Sequence, residues 1–241
     1  MVTDPAPHSR TGRGVTVAVV DSGIHAAHPH VGGISGGVGI RPDGSTDPDF
    51  VDRLGHGTAV AAAIREKAPD VELVAVKVFD RRLSADVNAL VGAIEWAIAN
   101  GVQIVNLSLG TTVVEHEPAL REAVAHAARQ RVLIVSASEH DGARWLPGCL
   151  PGVVAVRLDW TCPRSTYRVS TASDGSRTFY ASGFPRDIPG VPPERNLKGV
   201  SFAVANMSGF LARAIEGLRD PTFEQAMDLL TRSAERVVAQ R

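Results

Sequence analysis

A serine stands at the head of a long apolar run, Gly199-Val200-Ser201-Phe202-Ala203-Val204-Ala205-Asn206-Met207-Ser208-Gly209. A histidine sits between glycines in Leu54-Gly55-His56-Gly57-Thr58, and Asp21 closes the β-branched run Gly14 to Val20. Together these types can transfer an acyl group. A hydroxyl is a weak nucleophile until a histidine takes its proton, and that histidine needs a carboxylate to fix its tautomer and stabilise the imidazolium. Taken singly, each residue has a plainer reading. Ser201 could cap a helix, His56 could be a turn residue, and Asp21 could end its strand in an Asx turn.

The elements around them decide whether they can meet. Gly14 to Val20 reads as a buried strand, and Asp21 falls at its C-terminal end, where open α/β sheets place their ligands. Ala59 to Ile64 begins an Ala-rich helix that Pro69 ends, and Val71 to Val78 alternates as a strand. Ser84 to Asn100 reads as a helix capped by Ser84 and stopped by Gly101. Val102 to Leu107 and Val132 to Ala137 are buried strands on either side of a helix over 117–131, and Val153 to Val156 is a further short strand. Two helices close the chain, Phe202 to Leu218 and Phe223 to Val238, with Pro221 in the first turn of the second. Strands alternating with helices imply an α/β fold with a mostly parallel central sheet and helices on both faces. Residues 1–13 read as a flexible lead-in to a single domain over 14–241. Residues 32–55 read as a Gly/Asp/Pro-rich surface loop, and 157–198 as an irregular β-rich flap against the sheet, with short extended pieces at Tyr167 to Thr171 and Arg177 to Ala181.

Composition narrows the function. The 241 residues are 44% apolar with a net charge of −1, so a packed globule is expected, with neither nucleic acid nor a membrane as partner. No transmembrane run or signal peptide is legible, and the two cysteines, Cys149 and Cys162, read as free thiols, so the expected location is cytoplasmic. No metal site or cofactor is read from the sequence, and nothing in it sets an oligomeric state. A nucleotide-binding domain would want G-x-G-x-x-G or a P-loop, and the chain has neither.

The order Asp, His, Ser is that of subtilisin, and G-x-S-x-G is absent because Ala203 holds the second Gly position. Val17-Ala18-Val19-Val20-Asp21-Ser22-Gly23-Ile24, Gly55-His56-Gly57-Thr58-Ala59-Val60-Ala61 and Gly199-Val200-Ser201-Phe202-Ala203 resemble the Asp, His and Ser motifs of subtilisin-like serine proteases. Val105-Asn106-Leu107-Ser108-Leu109-Gly110 resembles the strand lining their substrate cleft. The resemblance runs from about Gly14 to Arg213. It implies a subtilisin-like catalytic domain with a triad of Asp21, His56 and Ser201. The implied substrate is a peptide or protein that adds a strand along Ser108, Leu109 and Gly110. The pocket beside the scissile bond would lie between that segment and residues 138–150. Trp145, Leu146 and Cys149 would line it, with Glu139 or Asp141 favouring a basic side chain. The stretch 32–55 would form a rim above the cleft.

The chain also departs from the family pattern. A gapless match over 132–142 places His140 where the family has its oxyanion-hole asparagine. In subtilisin, loss of that donor costs about a hundred- to thousandfold in rate. A histidine can also donate, so His140 stands either as a substitute or as a plain polar loop residue that leaves the hole to the Ser201 N–H. Glu139 beside it could raise the His140 pKa or place unwanted charge in the hole. Val200, Ala59, and Ala205 with Asn206 replace the family's Thr, second His and Pro-His. His30 and the short Arg65 to Val71 connection predict no high-affinity calcium site. The lack of a recognisable pro-segment suggests an intracellular enzyme dedicated to one peptide or protein. Two activities follow: a serine endopeptidase, or a pseudoprotease that binds peptides without efficient turnover.

Overall fold

The computed structural model describes residues 10–80, 85–192 and 195–235. Its centre is a nine-stranded sheet built on β1 (Thr16–Asp21), β4 (Glu72–Lys77), β5 (Ile104–Leu107), β6 (Leu133–Ala137) and β9 (Val153–Leu158). The edges are β2 (Gly36–Ile40) with β3 (Thr46–Asp47), and β10 (Arg168–Thr171) with β11 (Arg177–Ala181). The order is β10-β11-β9-β6-β5-β1-β4-β2-β3. The seven inner strands pair in parallel, and the outermost pairs, β10 with β11 and β2 with β3, are antiparallel.

Among the described residues five α-helices cover the sheet: α1 (His56–Lys67), α2 (Val87–Ala99), α3 (Glu117–Arg129), α4 (Val200–Ile215) and α5 (Phe223–Ser233). Strand alternation sorts the core into two layers. Val17 and Val19 face a cluster with Ile64, Phe202, Met207 and Leu211 of α1 and α4. Ala18 and Val20 face one with Leu90, Ile94, Leu120 and Val124 of α2 and α3. The expected mostly parallel sheet with helices on both faces is therefore present.

Several local expectations are corrected. The stretch 32–55 is not only loop, because it supplies β2 and β3. Its glycines permit close packing: a Cβ on Gly37 would lie 2.5 Å from Phe50 Cγ and 2.9 Å from Ala75 Cβ. Residues 168–181 are not a flap against the sheet but its other edge, with β11 joined in parallel to β9. Ser84 lies outside the described residues, and the α2 cap is Asp86, which accepts the Asn88 N–H at 2.8 Å. Pro221 precedes the last helix, whose cap is Thr222 in a reciprocal capping box with Gln225. Residues 1–9 and 236–241 lie outside the described residues. Residues 10–13 of the expected lead-in are tied to the body, with Thr11 and Gly12 N–H donating to Glu216 Oε2 at 2.5 and 2.7 Å.

Helices α1 and α4 lie against each other on one face of the sheet. A Cβ on Gly209 of α4 would sit 2.5 Å from Lys67 Cβ and 3.0 Å from the Ile64 carbonyl oxygen of α1. Beside them, Arg65 ties α1 to the chain around it by donating to the carbonyls of Val31, Gly33, Pro69 and Val71. Gly209→Leu should push the two helices apart and cost on the order of 1–3 kcal/mol of stability, as overpacking does, read as a lower urea midpoint.

Candidate active site

Asp21 is the last residue of β1 and fully buried. His56 is the first residue of α1, preceded by Gly55 in a left-handed conformation at φ 81°. The next position must be glycine, because a Cβ on Gly57 would lie 2.2 Å from the Gly23 carbonyl oxygen and 3.1 Å from Asp21 Cβ. That close approach seats the first turn of α1 on the end of β1. His56 Nδ1 consequently lies 2.8 Å from Asp21 Oδ1 and 3.0 Å from Oδ2. The pair leaves Nε2 as the ring nitrogen free to take a proton.

A second carboxylate supports the first, and sequence reasoning missed it. Gly55 has no side chain to cap α1, and Asp52 does so from three residues upstream. Its Oδ2 accepts the Thr58 N–H at 2.9 Å and the Thr58 hydroxyl at 2.6 Å, and its Oδ1 accepts Leu54 and Gly55 N–H, both at 2.9 Å. The Ser22 hydroxyl lies 2.9 Å from Asp52 Oδ1 and 3.2 Å from Asp21 Oδ1. The available signal was an aspartate just ahead of a glycine-flanked helix start. Burial pushes the Asp52 pKa up, but its hydrogen bonds from Thr58, Leu54 and Ser22 outweigh that and hold it below the usual range. Burial likewise pulls His56 down, and the hydrogen bond to Asp21 with the charges of Asp21 and Asp52 overcomes it, so His56 is raised.

Ser201 is the second residue of α4 and not its cap; Gly199 holds the cap position at φ 151° without a side-chain bond. The N–H groups of Val200 and Ser201 have no partner among the described residues, so the positive end of α4 is open at the serine. The Ser201 hydroxyl donates to the Ser108 carbonyl at 3.1 Å and is not hydrogen-bonded to His56. A relay missed in the sequence fixes this segment to α4. Ser208 donates to Asn106 Oδ1 at 2.9 Å, and Asn106 Nδ2 donates to Ser108 Oγ at 2.8 Å.

His56 and Ser201 line one cleft of about 340 Å³ with Ser108, Leu109, Gly110 and Trp145. The backbone N–H and C=O groups of Leu109 and Gly110 have no partner among the described residues. The expected rim over 32–55 is not among the lining residues. Instead that stretch supports the site from behind, through Asp52 and through the Phe50 carbonyl, which accepts the Ile24 N–H at 3.0 Å.

His140 does not line this cleft. It sits in a small hairpin of β7 (Glu139–His140) and β8 (Ala143–Arg144), with its ring edge-on to Trp145 at 5.2 Å and Nε2 3.6 Å from Asp141 Oδ2. Glu139 is paired with Arg157 at 2.5 Å, so its charge is answered away from the serine. Cys149 and Cys162 are free, and burial pushes the Cys162 thiol up to about 11. Among the described residues no group of three or more His, Cys, Asp or Glu side chains is placed to hold a metal ion, and no helix is long and apolar enough to cross a membrane.

An imidazole NMR titration should find His56 above the ordinary histidine value of about 6.5. Asp21→Asn should bring it down. Because the folded value is raised, the pair's stability contribution is complete below the unfolded value. It disappears as pH rises through the folded one.

Comparison with known proteins identifies the family. Residues 12–156 match the model of the Subtilase family. The chain is 34% identical over 248 residues to an intracellular serine protease of Paenibacillus polymyxa, covering 93% of this chain and 74% of that protein. It is 33% identical over 230 residues to an alkaline protease of Alkalihalobacillus alcalophilus, covering 90% of this chain but only 56% of that relative's length. Among solved structures, a cold-adapted subtilisin-like serine proteinase superposes with a TM-score of 0.73 at 24% identity, over 96% of this chain and 86% of that one. With the family matched over more than half its length and its sheet arranged as in such a proteinase, this chain belongs to the subtilase family.

Proposed function

We propose that the protein is a serine endopeptidase working through Asp21, His56 and Ser201. The observation that carries this reading is the Asp21–His56 hydrogen bond at 2.8 Å, at the head of the cleft that Ser201 also lines. In the reaction the Ser201 hydroxyl turns from the Ser108 carbonyl to His56 Nε2, and Oγ attacks the carbonyl carbon as the proton passes to the ring. Asp21 holds Nδ1–H and stabilises the imidazolium. The imidazolium then protonates the leaving amine, and water, deprotonated by the same ring, frees the acyl group from Ser201. The unpartnered Ser201 N–H at the start of α4 supplies a backbone donor to the oxyanion. His140 is the side-chain donor in this reading, reached when its ring turns off Trp145 into the cleft.

The substrate is an extended peptide that pairs with the free backbone groups of Leu109 and Gly110, next to Ser108. A role dedicated to one peptide or protein fits a cleft of this modest volume. Two free thiols and the likeness to an intracellular serine protease support a place inside the cell.

Labelling by an alkyl fluorophosphonate tests the nucleophile. Wild type should label and Ser201→Ala should not, while His140→Ala should slow labelling by about a hundred- to thousandfold if its ring binds the oxyanion. A folded wild type that takes no label would return the chain to a peptide-binding role without turnover. Activity should rise with pH through a pKa above about 6.5, because His56 must be neutral to act. Asp21→Asn should lower kcat by as much as about 10⁴-fold.

A further inference from the structure

We infer that Trp145 limits the side chain accepted beside the scissile bond to a small one, glycine, alanine or serine. The inference rests on the peptidase reading above and names the substrate class of that site. Gly110 is two residues from Ser108, whose carbonyl accepts the Ser201 hydroxyl, and an extended strand advances about 7 Å over that interval. A peptide that pairs along Leu109 and Gly110 and brings a carbonyl to Ser201 carries the adjacent side chain over Gly110. That space is already filled. A Cβ on Gly110 would lie 1.8 Å from Trp145 Nε1 and 1.9 Å from Cδ1, so the indole rests directly on the glycine backbone.

The indole is also held there. Leu146, the next residue, exchanges two backbone hydrogen bonds with Thr111, at 2.9 and 2.8 Å, which closes the far end of the 108–110 segment. The Trp145 backbone N–H donates to the Ser138 carbonyl at 3.1 Å and its backbone carbonyl accepts the Cys149 N–H at 3.0 Å. Swinging the ring aside would give up packing against the core on the α1 and α4 face of the sheet, so a large substrate side chain cannot simply displace it. Of the acidic side chains near the cleft, Asp86 lines it but is engaged as the cap of α2, accepting the Asn88 N–H at 2.8 Å, and Glu139 is paired with Arg157.

Two peptidyl diphenyl phosphonates, identical except for an alanine-like or a phenylalanine-like group beside phosphorus, test this against the intact protein. Mass spectrometry reads the rate of Ser201 modification, with an alkyl fluorophosphonate as control. Wild type should react with the alanine-like probe at least tenfold faster than with the phenylalanine-like one. Trp145→Ala should raise the ratio of the phenylalanine-like to the alanine-like rate at least tenfold. Trp145→Leu, which keeps an apolar side chain against the core, should fall between and serves if the alanine variant fails to fold. Equal wild-type rates, or an unchanged ratio in a folded Trp145 variant, would overturn the inference while leaving the peptidase reading intact. A wild type whose Ser201 reacts with neither probe nor the fluorophosphonate overturns both.

Discussion

The site depends on how closely α1 and α4 pack. Each helix presents one candidate catalytic residue from its first turn, His56 from α1 and Ser201 from α4. Two helices side by side on one face of a parallel sheet bring their N-termini to the same edge of it, the edge where β1 delivers Asp21. Gly209 sets the separation, since any side chain there would meet Lys67 and the Ile64 carbonyl. The candidate groups therefore sit on rigid elements, where packing rather than loop conformation fixes their positions.

Electrostatics at that edge runs against a simple rule. A helix N-terminus is the positive end of its dipole and should disfavour a protonated histidine. His56 nevertheless has a raised pKa, because two carboxylates converge on the same turn. Asp21 touches the ring from the end of β1, and Asp52 caps the helix in place of the side chain that Gly55 lacks. Burial keeps both interactions from being screened, and the hydrogen bonds that Asp52 collects keep it ionised. The same arrangement orients the ring and prepares it to hold a proton.

The cleft shows a second economy. β5 leaves the sheet at Leu107, and the following Leu109 and Gly110 keep their backbone groups unpaired until Thr111 closes onto Leu146. A short row of free donors and acceptors beside the proposed nucleophile is a template for an added strand. Trp145 forms one wall of that row and at the same time packs on the core, so the shape of the cleft and the stability of its surroundings rest on one side chain.

Much of this was legible in the chain itself. The β-branched runs ending at Asp21 and Leu107 and the Ala-rich run after His56 specify their elements through local periodicity. The glycines around the three candidate residues mark sharp entries into and out of their elements. The β2 edge was not legible, because β2 is mostly glycine and only neighbours such as Phe50 and Ala75 make it a strand, whereas β10 and β11 read as short extended pieces whose place at the sheet's other edge is set only by pairing with β9. Ser201 read equally well as a helix cap, and only the α1–α4 packing puts it in one cleft with His56. Asp52, the turn of His140 onto Trp145, and the indole against Gly110 were likewise beyond the sequence. Each joins side chains through contacts that no local pattern encodes, whereas a strand or a helix start is fixed by residues a few positions apart.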